Sequence, residues 1–482
     1  MVQEKLKVLF LAAEAAPFVK IGGLGDVAGS LPQALIRLPN PPELRMVIPM
    51  HRQIDRTQFN LEPVITFEVG HARGPVRAEV FQTNVQGLTV YLVGGAPVQA
   101  SEHVYTSDTL ADGTKFTFFS LAALELCRLL KWQPDIVHAQ DWHTAPAVYA
   151  LKTNFKDDPF FAGTATLLTV HNLPYLGNGA GPALKAFGLI PAEGSDLPWW
   201  AQDMPLPLGL LTADKINTVS TGYAREMLTT EFGAGLEEFL KTRKEDLIGI
   251  VNGLDQDSWN PETDDKLAVP FSAGTLKNRP TNKAALLAEL NLNPDSSLPL
   301  LAYIGRMDQQ KGVEIAIAAL RQAAGLPWQA VILGTGDPDI EDQARALEAE
   351  FPDRIRAIIR FDGNIARRIY AGSDIMMVPS RYEPCGLIQM IAMRYGSVPV
   401  ARATGGLRDT ITDYDTRTAS TGFLFQKASP GAMVPALRRA LKTYADKRRW
   451  IPLQKRCMVQ DFSWEKSAVQ YLDVYHALVG QA

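Results

Sequence analysis

Cysteine is scarce in this sequence. Among 482 residues only Cys127, Cys385 and Cys457 occur, widely separated and without metal-ligand spacing, which argues against a disulfide framework and a zinc site and fits a reducing compartment. An excess of positive charge is also missing: 48 Lys and Arg against 52 Asp and Glu leave a net charge of −4, so there is no basic field for nucleic acid. An anionic ligand must then be held by local clusters. No apolar run approaches the roughly 18 residues that would suggest a membrane span. The first strand-like run, Lys7 to Glu14, is bounded by charges and too short for the apolar core of a signal peptide. These absences predict a cytoplasmic protein with no membrane partner. The first strand also lacks a following Gly-x-Gly-x-x-Gly fingerprint with its acidic ribose-binding residue, which disfavours a dinucleotide oxidoreductase.

What is present is an ordinary globular composition, 46% hydrophobic and 21% charged, in a chain longer than one core usually supports. Two αβ series follow one another. The first runs through a strand over 7–14, a glycine-rich turn, a helix from about Asp26 to Arg37 and a strand from Leu44 to Pro49. It continues with a helix from Phe116 to Leu130 and strands from Asp135 to Ala139 and Thr166 to His171. The second restarts at Leu300 to Ile304 and continues with a helix after Gly312, strand Gln329 to Leu333, a helix after Pro338 and strand Ile355 to Phe361. Two further units end near Thr410. The fold class expected is α/β, with two Rossmann-like doubly wound domains. The turn signal in Val251-Asn252-Gly253 suggests the boundary, and an aromatic tail from Trp464 to Tyr475 has helical spacing.

Polar and glycine motifs fall where strands end, the edge at which open α/β sheets bind ligands. After the run Ile375 to Val378 comes Pro379-Ser380-Arg381-Tyr382-Glu383-Pro384-Cys385-Gly386-Leu387. Pro384 suits a first helical position, so Glu383 is expected at a helix start, as a plain cap or as a functional carboxylate. Lys20 precedes Gly22, Gly23 and Gly25, an arrangement that suits a tight turn or convergence of amides, a helix N-terminus and an ammonium on a phosphate. Arg306 and Lys311 flank a strand-to-helix turn kept close by Gly312, and they form the strongest anion-binding pair in the chain. Thr404, Gly405 and Gly406, and also Gly334-Thr335-Gly336, offer further amides. His171 ends the apolar strand Leu167 to Val170, and Asp141, in Gln140-Asp141-Trp142-His143, has the same strand-end placement. Asp141 reads as positioning a sugar or an acceptor, whereas His138 and His143 read as structural.

In this order, the motifs around Lys20, Asp141, His171, Arg306, Lys311, Glu383 and Thr404 resemble the glycogen/starch synthase family of retaining glucosyltransferases. The resemblance extends from the first strand to Asp461-Phe462-Ser463-Trp464. It implies a GT-B fold with domains over 1–252 and 253–460 facing a central cleft that closes on the donor. A helix over 461–482 would cross back onto the first domain. It further implies transfer of glucose from ADP-glucose to the non-reducing end of an α-1,4-glucan, with retention. Glu383, His171 and Asp141 would serve the sugar, while Lys20, Gly22, Gly23, Arg306, Lys311, Thr404, Gly405 and Gly406 would hold the donor diphosphate. No metal and no cofactor are expected, because the cations can neutralise the diphosphate and there is no carboxylate cluster.

Departures from the family pattern are visible. Ile21 stands where Thr or Val is usual, and Arg360 and Gly363 surround Phe361 near the usual Gly-Tyr. Stacking of Phe361 on the nucleobase and core packing therefore both remain open. So do glucan stacking and loop anchoring for Trp199 and Trp200. The wider retaining-transferase pattern of a second Glu eight residues on finds Ile391, so no second carboxylate of the glycosidase kind is offered. The rival readings are a retaining GT-B transferase using UDP-glucose or a smaller acceptor, and a catalytically weak glucan-binding homologue. Glucan phosphorylase is disfavoured by the lack of a recognisable context for its cofactor lysine.

Overall fold

Short apolar runs buried on both faces form the centre of each half of the chain, as parallel strands covered by helices require. The computed structural model describes residues 5–414 and 419–480. It divides into two units, Met1–Gly253 with Trp464–Ala482, and Leu254–Ser463.

The first unit holds β1 (Lys7–Leu11), β2 (Glu43–Pro49), β3 (Glu62–Val69), β4 (Val76–Val85), β5 (Leu88–Gly95), β6 (Ile136–Gln140), β7 (Ala165–Val170), β8 (Lys215–Thr218) and β9 (Leu247–Gly249). Their order is β3-β4-β5-β2-β1-β6-β7-β8-β9. The β3-β4-β5 meander is antiparallel and the remainder parallel. That meander is absent from the sequence reading, because β3 alternates exposed and half-buried residues and lacks the apolar continuity of the central strands. The strand expected to reach Glu14 ends at Leu11, and the helix expected from about Asp26 begins at Gly23.

The second unit holds β10 (Leu300–Ile304), β11 (Gln329–Gly334), β12 (Ile355–Ile359), β13 (Ile375–Val378), β14 (Val398–Arg402) and β15 (Phe423–Phe425), ordered β12-β11-β10-β13-β14-β15 and parallel throughout. Each sheet reverses its winding direction once. The switch points are β1/β6 in the first and β10/β13 in the second, and crevices outside the carboxyl ends at such points are where these sheets bind ligands.

The tail forms the helix Trp464–Leu478. Trp464, Ala468, Tyr471 and Tyr475 are buried with Val8, Phe10, Leu31 and Leu35 in one core of the first unit. Polar contacts fix its register: Tyr475 Oη lies 2.8 Å from His138 Nδ1, and Asn217 Nδ2 donates to Tyr471 Oη at 2.9 Å. Burial holds the His138 pKa down to about 3, so the ring is neutral, with its other nitrogen 2.7 Å from Thr169 Oγ1.

Candidate active site

In the first unit, β6 runs into the helix Asp141–Lys152 with no intervening loop. Asp141 makes that junction at φ 55°, a left-handed conformation that costs a non-glycine residue roughly 1–2 kcal/mol. The compensation comes from the neighbouring strand: the His171 amide, just past β7, donates to Asp141 Oδ1 at 2.7 Å. The His171 ring lies with Nε2 2.8 Å from Gln140 Oε1, and burial lowers its pKa to about 3. Asp141 and His171 are thus joined through the His171 amide, while the neutral imidazole lies against Gln140. Among the described residues, Gln140 Nε2 and Asn172 Oδ1 are buried without a protein partner, which leaves polar capacity around His171.

Burial raises the Asp141 pKa to about 7, against the pull of the His171 and Asn172 amides, with the charge of Glu14 adding to the rise. A carboxyl whose folded pKa lies above its ordinary value stabilises the fold fully only below that ordinary value. The contribution is lost as pH climbs through the folded pKa. Asp141→Asn cannot ionise, so its unfolding free energy relative to the parent should rise by roughly 2–3 kcal/mol between pH 5 and pH 8. Denaturant unfolding at the two pH values tests this, and a pH-independent difference rejects a raised Asp141 pKa.

Lys20 is half exposed and its ammonium lies 2.6 Å from Asp26. The amide cradle expected beside it is already filled. Glu14, past the end of β1, accepts hydrogen bonds from the amides of Ile21 and Gly22, the latter at 3.2 and 3.3 Å. Gly22 therefore gives its N–H to the protein's own carboxylate. Gly23 opens the helix Gly23–Ile36 and faces open space. Glu14 escaped the sequence reading; the only signal was a carboxylate directly following an apolar strand.

In the second unit, the loops after β10 and β13 meet. Glu383 is 5% exposed. Both its oxygens accept from Lys311 Nζ, at 2.8 and 2.7 Å, and Ser380 Oγ donates to Oε2 at 2.9 Å. One expectation is corrected here. Glu383 does not start a helix, because the chain stays irregular to Leu387 and the helix is Ile388–Arg394. Gly386, at φ 77°, breaks the helical path between them. The Lys311 side chain is largely buried against Glu383. Arg306, by contrast, has a side chain 60% exposed, with Nη1 2.7 Å from Asp308 and Nη2 donating to Gln310 Oε1 at 3.0 Å. Asp308 ties the pair together, because its other oxygen accepts the Lys311 amide at 2.9 Å.

Gly405 and Gly406, after β14, pack directly on the Glu383 loop. Gly405 has φ 42°, and a Cβ there would lie 2.0 Å from the Glu383 carbonyl oxygen; one at Gly406 would lie 2.2 Å from that of Cys385. The Gly406 amide donates to the Glu383 carbonyl at 3.0 Å, so it supports the carboxylate's loop and is not an open anion donor. Thr404 is buried at the start of this turn. Likewise the Thr335 hydroxyl and Gly336 amide both donate to Glu341, at 2.7 and 2.9 Å, so the Gly336 amide of the Gly334-Thr335-Gly336 turn is not free. Phe361, beyond β12, is 92% exposed, which removes the core-packing alternative. Trp199 is exposed, whereas Trp200 packs partly against the core of the first unit. No group of three or more His, Cys, Asp or Glu among the described residues could hold a metal ion, and no helix among them is long and apolar enough to cross a membrane.

Two α/β units built on parallel sheets, with cations and a carboxylate at the switch point of the second, define a glycosyltransferase of the GT-B class. Residues 7–242 match the starch synthase catalytic domain and residues 290–456 the glycosyl transferases group 1. A glycogen synthase of Syntrophotalea carbinolica is 38% identical over 483 residues, covering 98% of this chain and 99% of that protein. One from Anaeromyxobacter dehalogenans is 40% identical over 489 residues, covering 98% of this chain and 100% of its own. The catalytic domain of Arabidopsis thaliana starch synthase IV, solved with ADP and acarbose, superimposes with a TM-score of 0.89 at 33% identity, covering 99% of this chain and 100% of that one. The chain belongs to the glycogen/starch synthase family.

Proposed function

We propose that this protein is a cytoplasmic glycogen synthase that transfers glucose from ADP-glucose to the non-reducing end of an α-1,4-glucan with retention of configuration. The observation that carries the reading is the buried Lys311–Glu383 pair, joined through Asp308 to the exposed guanidinium of Arg306 at the β10/β13 switch point. Such a group answers both charges of the reaction, a departing diphosphate and an electron-poor sugar carbon. The Lys311 ammonium has three donors. It can keep Glu383 and turn toward a phosphate oxygen, while Arg306 adds charge to the same diphosphate; Lys20, in the first unit, serves as a further cation for the donor. The Glu383 carboxylate faces the oxocarbenium-like centre, and the leaving phosphate oxygen takes the acceptor's proton.

Gly22, Gly23, Thr404, Gly405 and Gly406 shape the turns that carry these groups, His171 and Asp141 orient the sugar, and exposed Phe361 stacks on the base. The unit over residues 254–463 binds the nucleotide and the other takes the glucan. ADP as donor nucleotide is supported by the ADP carried by the Arabidopsis relative. The test is nucleotide release from ADP-, UDP- or GDP-glucose in the presence of glycogen. ADP-glucose should give the highest kcat/KM, and a clear preference for UDP-glucose defeats the donor assignment.

A further inference from the structure

Glu14 is 1% exposed, so its carboxyl is buried within the first unit. Burial raises its pKa, and the donors that pull it back are the amides of Ile21 and Gly22 and the hydroxyl of Tyr105, 3.1 Å from Oε1. Burying a carboxylate is costly unless it is hydrogen-bonded, so this one is retained by groups that converge from two separate loops. The Tyr105 side is pinned in turn. The buried Lys115 ammonium donates to the Val104 carbonyl and to Asp112 Oδ1, both at 2.9 Å, and Asp112 Oδ2 accepts the Thr106 amide at 2.8 Å. On the other side the fit is tight, since a Cβ at Gly25 would lie 3.0 Å from Glu14 Oε2 and 3.2 Å from Lys20 Cα. The residue directly before the two bonded amides is Lys20.

We propose that Glu14 is a positioning residue for donor binding. Its carboxylate occupies the anion nest of the glycine-rich turn and so fixes the turn in the conformation that presents the Lys20 ammonium to the donor diphosphate. The inference rests on the reading that Lys20 meets that diphosphate. In consequence, the amides of residues 21 and 22 bind the protein's own anion and the phosphate is met by the side chain. The site gains a preorganised cation in place of a flexible glycine loop.

Glu14→Gln keeps the shape but offers one acceptor and one NH2 to three converging donors, so the turn must shift. Expected results are at least a tenfold rise in the Kd for ADP and in the KM for ADP-glucose, a glycogen KM within twofold of the parent, and at least tenfold faster hydrogen exchange at the amides of residues 21 and 22. Gly25→Ala, which crowds the carboxylate without removing it, should reproduce the pattern and serves if Glu14→Gln fails to fold. Faster exchange or a lower Tm with unchanged ADP affinity and donor KM makes Glu14 structural only and overturns the proposal; unchanged exchange does so as well. Failure of the functional reading looks different: the parent protein itself releases no nucleotide from any of the three donors, which removes the diphosphate this proposal requires.

Discussion

Glu383→Gln should lower kcat by about 10²-fold or more, about 3 kcal/mol of transition-state stabilisation, without weakening ADP binding. The substitution preserves the side chain's shape and one acceptor for Ser380 and Lys311, but deletes the charge that both Lys311 contacts now balance. In the ground state that deletion releases the ammonium toward a phosphate, so the Kd for ADP should be unchanged or lower. In the transition state positive charge builds on the sugar with no carboxylate opposite it, and the loss falls on kcat. Capping is no longer the competing account, because no helix begins within four residues of Glu383. A variant that turns over normally removes Glu383 from the chemistry and leaves it as the partner that holds Lys311.

Arg306→Ala and Lys311→Ala should each reduce kcat/KM by roughly 10²-fold or more, yet they should differ sharply in stability. Arg306 is a solvent-facing cation, and truncating it should leave Tm almost unchanged. Removing Lys311 strips the counter-charge from a buried carboxylate, a change that costs about 3–5 kcal/mol where the remaining group stays ionised. Adding Glu383→Gln to Lys311→Ala should recover stability without recovering activity. Thermal melts paired with donor kinetics check the three variants against the parent. Near-normal kcat/KM for both single alanine variants shows that the cations do not serve the donor.

The sequence alone determined the central strands of the two sheets and which motifs sit at their ends. Leu300–Ile304 and Ile375–Val378 are short, apolar and bounded by turn residues, and a strand buried on both faces needs no more than that local pattern. Order of motifs along the chain was equally legible, and with it the family. The half-exposed β3 was not, since its stability comes from pairing with β4 and not from its own composition. Nor was the end of the Glu383 loop, where a left-handed Gly386 outweighs the helix-starting preference of Pro384.

Only the tertiary structure decided the partners of the polar groups. Lys311 and Glu383 are 72 positions apart and meet because β10 lies beside β13, an adjacency set by sheet order. The glycine turns looked like open anion cradles, yet Gly22 donates to Glu14, Gly336 to Glu341, and Gly406 to the Glu383 carbonyl. A buried amide must find an acceptor, and a sequence shows that the amide exists without showing which acceptor the packing brings within 3 Å or so. The type of each group is written in the chain; its pairing follows from which strands become neighbours, and that pairing separates the amides that hold the fold together from the side-chain cations left for a ligand.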